Sequence, residues 1–310
     1  MDFRRLAAAA AIAVSVSACV ADTAGNSPSR APTVAMPEVP LRATSQGDAM
    51  RRLGVLKIHA TDASRDVPGG VALVRSSAEM GEPQAYFWLG VLNYFGTGMP
   101  RDYAEAYRNF RIAWEGQVTR AALYIGRMHA NGFHLVRDVG QARHWFELAA
   151  ARGEAEAQYS LAFSLVYGSE DAKDHAAGLV WLQRAVDAKY PASVSSMARL
   201  YEIGRGVPAD LGRAAFLYQQ AADLKDGYGT SNLGSLYLAG RGVPQNDGRA
   251  VQLFRQAIAL GYVPAKNRLA WMYENGRGVP RDLVEARRLY AEAAGLPAEA
   301  PPSPRHDLVQ

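Results

Sequence analysis

Residue types that could do chemistry are few in this 310-residue chain. There is one cysteine, Cys19, so no disulfide can close within the chain and no cysteine-based zinc site can be assembled. The six histidines are His59, His129, His134, His144, His175 and His306. Only His129, His134 and His144 lie close together. Their spacings of five and ten do not give the i, i+4 pair by which a helix offers two imidazoles to one metal. Gly-Arg-Gly-Val-Pro, at 204–208, 240–244 and 276–280, has glycines that could cradle a phosphate. It lacks the Gly-Lys-Ser/Thr ending, and it sits between helices rather than after a strand. We therefore assign no catalytic residue, metal ligand or cofactor, and do not read the chain as an enzyme. With 34 basic and 30 acidic residues the charge is mixed and near balance, which gives no argument for nucleic acid.

The one thiol has a particular setting. Arg4 and Arg5 precede an uncharged stretch, Leu6 to Ala18, which is shorter than the roughly 20 residues that span a bilayer. A basic start with a short apolar run reads as a secretory signal peptide over 1–18. The run ends Val16-Ser17-Ala18-Cys19. An aliphatic residue, two small ones and a cysteine resemble the lipobox of bacterial lipoproteins. That resemblance implies acylation of Cys19, cleavage before it, and anchoring by buried methylenes worth about 0.8 kcal/mol each. Val20 stands where an inner-membrane protein of that family tends to carry Asp. The resemblance thus implies the outer membrane, on its periplasmic face. Residues 19–44, rich in Ser, Thr, Pro and Ala, read as a lipidated N-terminus and flexible tether. Residues 297–310 read as a disordered tail.

Between tether and tail the sequence repeats every 36 residues. Glycine recurs at Gly96, Gly132, Gly168, Gly204, Gly240 and Gly276; Asp or Asn recurs at Asp102, Asp138, Asp174, Asp210, Asn246 and Asp282. A large column runs Phe110, Phe146, Leu182, Tyr218, Phe254, Tyr290, and an alanine column runs from Ala113 to Ala293. Stepping back 36 gives Leu53, Gly54 and Asp66, but Ala60 in the glycine column, so a weaker first unit precedes the six. We read seven units over 45–296, starting near 45, 81, 117, 153, 189, 225 and 261. In each, a first helix ends at a left-handed glycine, a short turn follows, and the Asp caps a second helix. Glu105 and Glu285, three residues after their Asp, predict capping boxes.

Leu233-Gly234-x-x-Tyr237-x-x-Gly240-x-Gly242-Val243-Pro244 followed by Ala250 and Ala257 resembles a Sel1-like repeat, as do the segments beginning at Gly204 and Leu269. The resemblance implies an all-α chain, a right-handed α/α superhelix (solenoid) of helix-turn-helix units related to tetratricopeptide arrays. Two turns depart from the pattern: His134 stands where the second glycine belongs, and Gly168-Ser169-Glu170-Asp171 replaces the Gly-x-Gly-Val turn. Both are expected to differ locally.

An array without site chemistry works through its surface. One stripe of the first helices varies in type while the core columns do not. It carries Trp88, Tyr124, Arg127, Phe163, Arg199 and Trp271, the residue types that binding hot spots favour. We assign these six to partner binding in a concave groove. The expected role is a lipid-anchored, non-enzymatic scaffold or adaptor for envelope proteins, assisting assembly of an exopolysaccharide or secretion complex. Two alternatives stay open: a periplasmic regulator of a sensor protein, and an envelope carbohydrate-binding or hydrolytic protein, since aromatic stripes also stack on polysaccharide. Replacing a capping aspartate, Asp102→Ala or Asp282→Ala, should cost about 1 kcal/mol in urea unfolding.

Overall fold

The structure is a computed structural model and describes residues 44–168 and 172–296. Residues 1–43 with Cys19, residues 169–171 and residues 297–310 lie outside the described residues. Every regular element described is an α-helix, and the helices form seven consecutive pairs. They are α1 Ser45–His59 with α2 Val67–Glu79, α3 Pro83–Phe95 with α4 Tyr103–Glu115, and α5 Thr119–Asn131 with α6 Val139–Ala151. There follow α7 Ala155–Tyr167 with α8 Ala172–Asp187, α9 Pro191–Ile203 with α10 Leu211–Asp223, α11 Gly227–Ala239 with α12 Asp247–Ala259, and α13 Pro264–Asn275 with α14 Leu283–Ala293. The packing divides the chain into two compact units, Met1–Leu161 and Ala162–Gln310.

The two helices of a pair approach closely through complementary columns. A Cβ on Gly90 would come within 2.6 Å of the Phe110 ring, one on Gly126 within 2.6 Å of Phe146, and one on Gly234 within 2.8 Å of Phe254. Where the opposing residue is Leu182 or Tyr218, the small column is Ala162 or Ala198 and tolerates a methyl. Those large residues and their alanine neighbours Ala113, Ala149, Ala185, Ala221 and Ala257 are all buried. Tyr290, last in its column, is exposed.

The turns are held by a bond that the sequence pattern did not suggest. The backbone N–H of each capping residue donates to the carbonyl nine residues earlier: Asp102 to Asn93, Asp138 to His129, Asp210 to Tyr201, Asn246 to Tyr237 and Asp282 to Tyr273, at 2.9–3.0 Å. The cap side chains also accept as expected, for example Glu105 N–H on Asp102 Oδ1 at 2.9 Å. The capping boxes, however, stay half made. With the cap N–H already committed, Glu105 and Glu285 turn to Arg108 and Arg288.

The two irregular turns behave differently from each other. His134 has φ +67°, in the left-handed region where Gly98, Gly206, Gly242 and Gly278 lie, so that turn keeps its backbone and carries the strain of a side chain. Around 168 the geometry does change. Gly168 has no left-handed φ, and α8 begins at Ala172, so Asp174 falls in the first turn of α8 instead of capping it.

Gly126→Ala should destabilise the protein by about 1–3 kcal/mol, because the new methyl must displace the Phe146 ring. Gly242→Ala places a Cβ 2.3 Å from the Leu211 carbonyl oxygen at φ +71°, and should cost at least about 2 kcal/mol. His134→Gly relieves αL strain but loosens the unfolded chain, for a net change between about 0 and +1 kcal/mol. Urea unfolding midpoints would order the three.

Candidate interaction surface

In the unit spanning residues 1–161, the stripe residues are largely interior. The Tyr124 ring is buried, stacked on Phe110 at 4.9 Å between ring centres and edge-on to Phe87 and Tyr94. Burial lifts its hydroxyl above the usual phenol range, with Arg127 pulling the other way. The same burial pushes the Tyr94 hydroxyl up to about 12. Trp88 is half-buried against the core of the first two pairs and edge-on to Phe87. Tyr124 is thus a packing residue between repeats, because its position points toward the preceding pair. Arg127 lies over the Tyr124 ring at 5.3 Å and pairs with Glu156 on α7. Arg120 reaches the same carboxylate at 3.1 Å. Burial alone would raise the Glu156 carboxyl, but the two guanidinium groups outweigh it and hold it below the ordinary glutamate value.

In the unit spanning residues 162–310, the stripe opens to solvent. Phe163 packs at 4.7 Å against Tyr167, which is 37% exposed. Ile203 is 45% exposed and Trp271 39%. Arg199 reaches Glu202 at 2.9 Å; Glu202 also accepts from the Tyr218 hydroxyl at 3.0 Å and from Arg241 at 3.4 Å. Arg205 lies over the Tyr167 ring at 4.9 Å and donates to the Val166 carbonyl at 3.0 Å. Arg277 stands 5.9 Å from the Trp271 ring, held by Asp247 at 2.6 Å. Arg268 donates from one nitrogen to Ser231, Asn232 and Ser235 on α11, which ties α13 to the pair before it.

Arg205, Arg241 and Arg277 were not among the residues assigned to binding. Each is the middle residue of Gly-Arg-Gly, and each clamps its repeat to the one before, so the signal was in the motif. In the preceding unit Phe133 holds the same column. It stacks on Tyr103 at 4.5 Å and meets Tyr94 at 5.8 Å, so an aromatic contact replaces the cationic one.

The three neighbouring histidines do not converge. His129 and His134 flank the Tyr107 ring at 6.2 and 6.3 Å, while His144 is exposed beside Trp145. Among the described residues no group of three His, Cys, Asp or Glu side chains is arranged to hold a metal. His129 is 5% exposed, and neither ring nitrogen has a hydrogen-bond partner. Burial holds its pKa below the usual imidazole value, Asp138 acting against it and Arg111 with it.

Paired helices in a fixed 36-residue register define a helical repeat array. Six segments, 83–115, 119–154, 155–190, 192–226, 228–262 and 263–296, match the Sel1 repeat family, and together they cover more than half of the chain. The chain belongs to the Sel1 repeat family. Sel1 repeat proteins bind protein partners and are in general non-enzymatic. The first pair, α1 and α2, lies outside the matched segments. A protective antigen of uropathogenic Escherichia coli strains with an SLR fold is 26% identical, with a TM-score of 0.63 over 80% of this chain; the chain spans 53% of that protein. A Sel1 repeat protein from Oxalobacter formigenes is 28% identical, with a TM-score of 0.62, over 80% of this chain and 72% of that one. An immunity protein from Pseudomonas aeruginosa shares the fold at 18% identity and a TM-score of 0.50, over 76% and 88% of the two chains. No curated protein sequence matches the chain.

Glu156 and His129 both have folded-state pKa values below their unfolded ones, so both contribute stability that is present at neutral pH and is lost on acidification. Their windows begin near the unfolded values of about 6.5 for His and about 4.3 for Glu. The urea midpoint should fall as pH drops from 7 to 5, and His129→Leu should flatten that part of the profile. Glu156→Gln should cost about 1–3 kcal/mol at pH 7, less than a fully buried pair, because both arginines reach water.

Proposed function

We propose that this protein is a lipid-anchored, non-enzymatic adaptor of the bacterial envelope, held to the membrane by acyl chains on Cys19 and gripping a protein partner along its first-helix stripe. The anchor rests on the sequence alone: a basic start, a short apolar run, and the chain's one thiol directly after Val16-Ser17-Ala18. Two or more acyl chains are needed for stable anchoring, which lipobox processing supplies. Val20, standing where an inner-membrane protein of the lipoprotein family tends to carry Asp, favours the outer membrane, on its periplasmic face. Assisting assembly of an exopolysaccharide or secretion complex is the task we attach to it.

The partner surface rests on one observation. In the unit 162–310, Tyr167, Ile203 and Trp271 hold large apolar side chains half out of water, beside the guanidinium of Arg199 and the ring-capping Arg205. Anchors of this kind concentrate binding energy when a partner desolvates them. Trp88 and Tyr124 support the neighbouring unit from inside and leave Arg127 as the contact group there.

Cys19→Ala should move the protein from the membrane to the soluble fraction and abolish labelling by radioactive palmitate; a variant that stays membrane-bound overturns the anchor. A photo-crosslinking amino acid at Ile203 or Trp271 should trap the same envelope protein in intact cells, and one at the exposed Phe216 should not. Arg199→Glu with Trp271→Ala should reduce that crosslink without loss of helicity. Equal trapping at all three positions would overturn the stripe as the contact surface.

A further inference from the structure

The first and the last helix pair each expose residues that the pairs between them bury. On α1, Ala49 is exposed, whereas Ala85, Ala121, Ala157, Ser193, Gly229 and Ala265 of the same column are all buried. Leu53 and Leu56 are 49% and 54% exposed, although their counterparts Leu269 and Met272 are buried in one cluster with Val251 and Phe254 of the preceding pair. On α14, Tyr290 holds the column of Phe254 and is 38% exposed, and Leu283 is 42% exposed. End units of repeat arrays carry a polar outer face when that face meets water. Here both ends keep apolar side chains at the positions by which one pair packs on the next.

We propose that a second copy of this chain covers these faces, the first pair of one molecule stacking on the last pair of another in the register that stacks neighbouring pairs within the chain. Internal contacts define that register. A Cβ on Gly229 would lie 2.6 Å from Ala221 Cβ. Those two columns hold Ala49 in the first pair and Ala293 in the last. A Cβ on Gly242 would lie 2.9 Å from Leu211 Cβ. Those columns hold Asp62 and Leu283. A Cβ on Gly98 would lie 3.0 Å from Val71, one on Gly206 would lie 3.2 Å from Leu179, and the His134 ring is 6.3 Å from that of Tyr107. Those columns bring Asp62 of one copy to Arg287 of the other. The charges are opposite, both residues are exposed, and among the described residues neither has an ion-pair partner. The turn that carries Asp62 closes as the other turns do, with Asp66 N–H donating to the Lys57 carbonyl at 3.1 Å. Arg52 stays with Asp48 at 2.6 Å and, in the column of Tyr124, lies over the Tyr290 ring as Tyr124 lies over Phe110. One molecule therefore carries both halves of the contact on two unlike faces, which makes the association head-to-tail.

The test uses the full chain with Cys19→Ser, which leaves no other thiol. Molecules carrying Ala49→Cys are mixed with differently tagged molecules carrying Ala293→Cys and oxidised mildly, and the covalent dimer is followed with time. The mixed dimer should form at least about tenfold faster than the dimer of either variant alone. It should exceed by the same factor the dimer of either variant with Phe216→Cys, an exposed position on α10. Arg287→Asp in the Ala293→Cys molecule should slow the mixed reaction about fivefold, and Asp62→Arg in the Ala49→Cys molecule should restore it. A mixed pair no faster than the Phe216 control, or no covalent dimer at all, overturns the proposal. Self-pairing that outruns the mixture marks a symmetric contact and overturns it too, as does a charge reversal without effect.

Discussion

The close approach of the two helices in each pair governs most of this structure. It depends on a residue with little or no side chain facing a large one, as Gly126 faces Phe146 and Gly234 faces Phe254. Opposite Leu182 and Tyr218 the small column carries Ala162 and Ala198, while in the first pair Gly54 faces Val74. Interiors at close-packed density leave no slack for a methyl on the wrong side. The pairing therefore constrains two positions in every 36 and leaves the outward ones free to vary. The excess of Gly and Ala follows from this constraint.

Stacking of one pair on the next is less uniform. The middle residue of the turn reaches back to the previous pair in each case where its contacts are described. It does so as a guanidinium at Arg205 and Arg277 and as a phenyl ring at Phe133. A cation held over an aromatic face and an offset ring stack are of similar strength. The geometry of the array can then persist while the chemistry of its clamps changes. The consequence for function is local: where the clamp is cationic it places charge beside Tyr167 and Trp271, on the stripe that faces solvent.

Much of the fold was legible in the residues because a period of 36 without insertions repeats the same constraint several times over. The glycines that end the first helices and the Asp caps could be located to the residue. The half-made capping boxes could not, because the bond from Asp102 N–H to the Asn93 carbonyl joins residues nine apart and involves no side chain. The early start of α8 was also hidden, since Asp174 kept its column while the turn before it lost its second glycine.

The stripe shows the same division. Its residues could be named from the sequence, since they vary where the core columns do not. Which of them meet solvent could not. Tyr124 and Trp271 occupy neighbouring columns and look alike in sequence. Tyr124 is closed off by Phe87, Tyr94 and Phe110 of the pair before it, whereas Trp271, with Arg277 near its ring, stays 39% exposed. The repeat period determined the helices, their turns and the side each residue faces, because these follow from local backbone geometry and spacing. Exposure was decided by tertiary packing, because burial depends on what the adjacent repeat presents, and no residue's own column records that.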